Sequence, residues 1–197
     1  MSSSSLQSIG LALMVLLLPA CSSLSINPVS SWEQHQSRVQ ALDSWQLGGR
    51  LNIRTETASD TINLLWDQRE DLYEINLNGP LGMGSVRINS TGSYIVIEKS
   101  GEEPLYTRNL ADISVDYLGY EFPADELYYW IRGIPAPDSD STVTLNDDRL
   151  LATLSQGPWQ LEYDRYQAHE GLNLPGRIRM EHPPYRLTFL INRWEFD

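Results

Sequence analysis

The sequence predicts a mainly β fold: one curled antiparallel sheet of about eleven short strands, with three short helices over its concave side. Three observations carry this. After Trp45, apolar and polar residues alternate at period two through most of the chain, as in strands buried on one face. The segments between these stretches are short polar turns. A parallel crossover needs a dozen or more residues, so neighbouring strands must run antiparallel. The period changes to that of a helix in only three places, once at the start and twice in the middle.

In chain order, Cys21 to Val29 is small and polar and reads as a tether. Ser30-x-x-Glu33 reads as a capping box, opening a helix that sets Trp32, Val39 and Leu42 on one face and ends near Asp43. The first strand follows, with Trp45, Leu47, Gly49, Leu51 and Ile53 facing one way. Ile62, Leu64 and Trp66 form the next stripe, 67–71 a turn, and Tyr73, Ile75 and Leu77 a third stripe. The glycine-rich connection 79–84 leads to Val86 and Ile88. Thr91-Gly92 then turns into a strand over Tyr94 to Glu98, and a short strand covers Leu105 to Arg108. Asn109 caps a helix carrying Leu110, Ile113 and Tyr117, with Gly119 past its end. Pro123 opens another, with Leu127, Trp130 and Ile131 on one side and Gly133 closing it. Alternation returns at Val143 to Leu145, Leu150 to Leu154, Trp159 to Tyr163, Arg177 to Met180 and Tyr185 to Trp194. An antiparallel sheet of this size curls. Its apolar face under a few helices either leaves room for a hydrophobic ligand or closes into a packed core, and patterning alone does not separate the two.

The first twenty residues stand apart. An apolar run from Ile9 to Leu18 ends in Leu18-Pro19-Ala20-Cys21, and Cys21 is the only cysteine. This reads as a lipoprotein signal, with residues 1–20 removed and Cys21 acylated. The product would be exported and lipid-anchored. The run is shorter than the roughly 20 residues of a membrane-spanning helix. Ser22, where an Asp would signal inner-membrane retention, resembles the pattern of lipoproteins sorted to the outer membrane. Residues 21–29 form the tether and 30–197 suit a single domain. The net charge is −12 and Lys99 is the sole lysine, which argues against nucleic-acid binding and against adsorption to anionic lipid.

Motifs for catalysis are missing. His35, His169 and His182 are far apart and belong to no metal-binding spacing. There is no Gly-x-Ser-x-Gly elbow, and Gly79, Gly82 and Gly84 neither precede Lys-Ser/Thr nor open a helix. Glu102-Glu103 and Asp147-Asp148 read as solvated loop acids. The pattern favours binding over catalysis, with no metal and no cofactor beyond the lipid on Cys21. One loop stands out. Leu81 and Met83 sit within the glycine-rich connection. Either Leu81 folds back into the core, or it projects and meets something apolar, worth roughly 1.5–3 kcal/mol on full burial.

These residues resemble a known family. Cys21, Trp45-x-Leu-x-Gly-Arg-Leu, Trp66-Asp67-Gln68, Gly79-Pro80-Leu81-Gly82, the stretch Leu127 to Pro137, Gln156 with Trp159, Leu174-Pro175 and the terminal segment with Trp194 occur in the order and spacing of the LolB family of outer-membrane lipoprotein receptors. The resemblance covers essentially the whole mature chain. It departs from the family in its uncharged signal start and in Pro158. It implies an unclosed antiparallel β-barrel with helices over a hydrophobic cavity. It also implies a monomer anchored on the periplasmic face of the outer membrane, which accepts acylated lipoproteins from the periplasmic carrier LolA and inserts them in that membrane. By position, Leu81 resembles the family's protruding leucine, implicated in membrane insertion. Trp66, Trp130 and Trp159 resemble tryptophans important to structure and lipoprotein handling, and plain core packing is an equal account of each. The rival expectation is a scaffold lipoprotein of envelope assembly without lipid cargo. An enzyme acting on lipid or glycan is a more distant third.

Overall fold

The alternating segments pair into one eleven-stranded antiparallel sheet in the computed structural model, which describes residues 26–79, 84–111, 114 and 123–196. Its strands are β1 (Ser44–Arg54), β2 (Ser59–Arg69), β3 (Leu72–Asn78), β4 (Ser85–Ser90), β5 (Ile95–Lys99), β6 (Leu105–Thr107), β7 (Ser141–Leu145), β8 (Leu151–Gln156), β9 (Trp159–Asp164), β12 (Arg177–His182) and β13 (Tyr185–Phe196). A separate hairpin, β10 (Gln167–His169) and β11 (Leu172–Leu174), interrupts the run between β9 and β12. The sheet order is β6-β5-β4-β3-β2-β1-β13-β12-β9-β8-β7. The chain builds outward from β1 to one edge, then returns from the other edge to close against β1 through β13. The edge strands β6 and β7 do not pair with each other, so the barrel is unclosed.

The helices begin and end where local chemistry dictates. In α1 (Trp32–Gln40) the cap is Ser31, not Ser30. Ser31 is extended (φ −150°, ψ 157°) and its hydroxyl accepts from the Gln34 amide at 3.2 Å, while the Ser30 hydroxyl is hydrogen-bonded to the Gln34 side chain. The helix stops at Gln40, before the expected end at Asp43. Asn109 does act as a cap, its Oδ1 accepting from the Ala111 amide at 2.8 Å, and Ala111 and Ser114 are helical. Ile113, Tyr117 and Gly119 lie outside the described residues. Next comes α2 (Ala124–Trp130), opened by Pro123 and stopped at Gly133, whose φ of +78° suits glycine. Residues 67–69, expected in a turn, extend β2 instead. They pair with 44–46 of β1, and the Gln46 side chain donates to Asp67 at 2.9 Å.

Between Gly48 and Gly49 the ladder of β1 with β13 shifts register. A Cβ on Gly49 would lie 2.3 Å from the Leu190 carbonyl oxygen, so the bulge needs glycine there.

The concave face is filled unevenly. Over β8, β9, β12 and β13 it is fully buried, with Leu151, Leu154, Trp159, Leu161, Ile178, Met180, Leu187 and Phe189 forming a closed core beneath Trp130, Ile131 and Ile134. Over β3, β4 and β5 the inward residues Tyr73, Ile75, Leu77, Val86, Ile88 and Ile95 are only half-buried, while Ile97 is buried.

Candidate functional site: a cavity in the open half of the sheet

The uneven filling leaves a cavity of about 1040 Å³ over β1–β5. Typical small-molecule pockets run from about 300 to 1,000 Å³, so this one is large. Its wall is built by register. One inward row crosses the sheet from Leu47 to Leu105, and its middle members Trp66, Ile75, Ile88 and Ile97 line the cavity. The next row runs Leu64, Leu77 and Val86, ending at Lys99. Leu51, Ile53, Ile62 and Phe189 extend the wall, and Leu127, Tyr128 and Tyr129 of α2 border the cavity as well. The cause lies in side-chain size. Trp130 and Trp159 fill the space over the closed half, whereas β3–β5 offer mostly aliphatics on the inner face. Branched aliphatics suit a strand but are too short to close the space below the helices.

The cavity is apolar along its middle and polar towards both ends of the strands, with Asp60, Thr61 and Lys99 at one. Towards the β2–β3 turn it meets Gln68, Glu70, Asp71, Tyr73, Arg108, Asn109 and Asp125. Gln68 is buried yet satisfied, since it accepts from Trp66 Nε1 at 3.1 Å and donates to the Glu70 carbonyl at 2.6 Å. Burial, reinforced by Asp125, pushes the Tyr73 hydroxyl up to about 12, so it is protonated throughout the physiological range.

The three tryptophans of interest separate. Trp66 is on the cavity wall, against Trp45 (5.1 Å between ring centroids) and edge-on to Tyr73 (6.5 Å). Trp130 and Trp159 are outside the lining. They pack on each other at 6.3 Å within the closed core. Trp130 Nε1 donates to Gln156 Oε1 at 2.7 Å. The same Gln156 accepts from the Ala136 amide and donates to the Ala136 and Ser139 carbonyls, fixing the loop after α2 to β8. Cys21 and Leu81 lie outside the described residues. Gly79 and Gly84, which flank Leu81, close the base of their turn through a 3.1 Å hydrogen bond from Gly79 N to Gly84 O.

Sequence reasoning missed Arg132. It is 1% exposed and pairs with no carboxylate among the described residues. Its guanidinium stacks 4.0 Å over Tyr128 and donates to the carbonyls of Tyr128 (3.1 Å), Val39 (3.1 Å) and Leu42 (2.9 Å). Burial pulls its pKa down, opposed by the two neighbouring tyrosines. An arginine set between Ile131 and Gly133-Ile134 was the available signal. Among the described residues no group of three or more His, Cys, Asp or Glu is placed to hold a metal. No described helix is long and apolar enough to cross a membrane.

Comparison with known proteins fits this geometry. The solved structure of a LolA superfamily protein from Nitrosomonas europaea superposes with a TM-score of 0.56, covering 88% of this chain and 94% of that one at 13% identity, a likeness of fold alone. Outer-membrane lipoprotein LolB of Stutzerimonas stutzeri is 34% identical over 189 residues, 92% of each chain. Outer-membrane lipoprotein LolB of Pseudomonas aeruginosa is 35% identical over 165 residues, covering 84% of this chain and 80% of that protein. The family model described as outer membrane lipoprotein LolB matches residues 43–194, from the start of β1 to Trp194, and so takes in both halves of the sheet. On the match of fold, length and sequence together, the chain belongs to the outer-membrane lipoprotein LolB family.

Proposed function

We propose that the protein is a lipid-anchored receptor on the periplasmic face of the outer membrane. It takes acylated lipoproteins from the carrier LolA into the cavity and passes them to the membrane. One observation carries the reading: a continuous apolar wall around a cavity of about 1040 Å³, half-buried over much of β3–β5, in a domain whose other half is densely packed. Leaving that surface to water is costly, at roughly 25 cal/mol per Å². Acyl chains exposed in transit cost about 0.8 kcal/mol per CH₂, so cavity and cargo each remove the other's exposed surface. Direction comes from unequal affinities, with the receptor binding more tightly than the carrier and the bilayer more tightly still, and about 1.4 kcal/mol gives each tenfold step.

Cys21 is the anchor in this reading, and Leu81 is the apolar tip that assists release into the bilayer. The test mixes acyl-loaded carrier with the soluble domain and follows cargo from one protein to the other. Transfer to the domain, with a fluorescent fatty acid displaced from it, is the expected result. A domain that takes up neither overturns the receptor reading.

A further inference from the structure

We infer that the resting domain stands on its membrane with one particular end of the sheet down, the end bearing the β2–β3 turn, the β7–β8 turn and the β10–β11 hairpin. The inference rests on Cys21 being the lipid anchor, and it adds the surface that the anchor holds against the bilayer. Two side chains fix the point where the tether leaves the fold. Asn173, fully buried on β11, grips both backbone groups of Asn27. The Asn27 amide donates to its Oδ1 at 2.9 Å, and its Nδ2 donates to the Asn27 carbonyl at 2.8 Å. Arg149, in the β7–β8 turn with φ of +61°, donates to the carbonyls of Val29 (3.0 Å) and Ser30 (2.7 Å). The segment entering α1 is thus held as an extra piece of the domain.

Strand direction gives the rest. In an antiparallel sheet successive turns alternate between two ends. The β2–β3, β4–β5 and β7–β8 turns and the start of β12 share one end. The turns after β1, β3, β5, β8 and β12 share the other. Asn27 and Val29 are pinned at the first end. From Asn27 back to Cys21 is six residues, which reach at most about 22 Å. The eleven-residue β1 alone is about 36 Å long. With the tether docked, an anchor at Cys21 therefore cannot bring the far end to the bilayer while the strands stand upright. The turns at the near end carry Asp147, Asp148 and Glu170 beside Arg149 in sequence, so adhesion there does not come from these loops' charge. The short tether sets the stance. The turn based on Gly79 and Gly84 is at the far end, so a step there on the same membrane requires the tether to peel from Asn173 and Arg149 or the domain to tip onto its side.

The test uses the full lipidated chain in outer-membrane lipid vesicles, with a fluorophore on Asp147→Cys at the near end or on Glu56→Cys or Glu103→Cys at the far end. All three positions are exposed. Lipids carrying a nitroxide on the headgroup should quench position 147 strongly and leave 56 and 103 at the level of a soluble Cys21→Ala control. Freeing the tether with Arg149→Ala, or with Asn173→Ala where its melting curve stays cooperative, should even out the three positions. Equal quenching in the unmodified tether, or stronger quenching at 56 and 103, overturns the stance while leaving the anchor intact. A chain that washes off the vesicles overturns the anchor itself and the stance with it. Cargo uptake from the carrier in solution is independent of both outcomes.

Discussion

Trp66 and Ile75 face each other across β2 and β3 at the middle of the cavity wall, and the space beyond them separates a binding surface from a core. Enlarging a half-buried wall residue should therefore fill the cavity rather than strain the fold. Ile75→Trp and Ile88→Trp are expected to weaken binding of a fluorescent fatty acid at least tenfold while shifting unfolding free energy by less than about 1 kcal/mol. Leu154→Trp in the closed half should instead cost about 1–3 kcal/mol through overpacking, with the probe still bound. Paired binding and denaturant titrations on the three variants check both statements. His35 supplies a pH dependence. It is buried on α1, and burial, with Arg38 beside it, lowers its pKa from 6.5 to about 4. The folded state thus prefers the neutral ring. Its contribution is complete above pH 6.5 and falls by about 1.4 kcal/mol per pH unit as the pH drops towards 4. His35→Leu should flatten that part of the stability profile, as measured by urea unfolding at pH 7.5, 5.5 and 4.5.

Among the elements, α1 and α2 are tied by Arg132. Its guanidinium satisfies carbonyls at the end of α1 and on α2 itself, and its Nη2 finds no partner among the described residues. A point charge cannot reproduce this fork, so Arg132→Lys should fail to restore what Arg132→Ala loses. Each stranded buried carbonyl costs about 1–3 kcal/mol, and both variants are expected to lower the melting temperature substantially. Because Tyr128 is held under the same guanidinium and borders the cavity, probe affinity should fall as well, in a calorimetric titration below the melting transition. The clamp of Gln156 on the loop after α2 does the same work on the closed side. Removing its aromatic partner by Trp130→Ala should cost about 3–5 kcal/mol, a packing loss in a core with no room to collapse.

For the molecule as a whole, uptake and delivery should be separable. Leu81→Glu is expected to leave uptake from the carrier nearly unchanged and to block transfer to liposomes, because a carboxylate resists entry into a bilayer. Loading the variant with lipoprotein and following its release checks this. Delivery at the normal rate removes Leu81 from the insertion step, and a loss of several kcal/mol in stability assigns it to packing.

What the sequence determined by itself was the sheet. The eleven sheet strands follow from period-two runs such as Trp45 to Ile53 and Tyr185 to Trp194, and their antiparallel sense follows from the short turns. The family was legible too, because Trp66-Asp67-Gln68, Leu127 to Pro137 and Gln156 with Trp159 keep their order and spacing along the chain. The β10–β11 hairpin was not visible, since three-residue strands such as Leu172–Leu174, buried at every position, carry no alternation. Only the tertiary structure decided which part of the apolar face is filled. Ile88 and Leu154 look alike in a pattern of alternation, yet one borders a cavity and the other lies in a packed core. The difference depends on what stands across the sheet, where Trp130 and Trp159 meet over the far strands while Ile75, Leu77, Val86 and Ile88 border open space. Alternation records which side of a strand faces inward, whereas packing density depends on partners distant in sequence, and a binding cavity is a fact about packing.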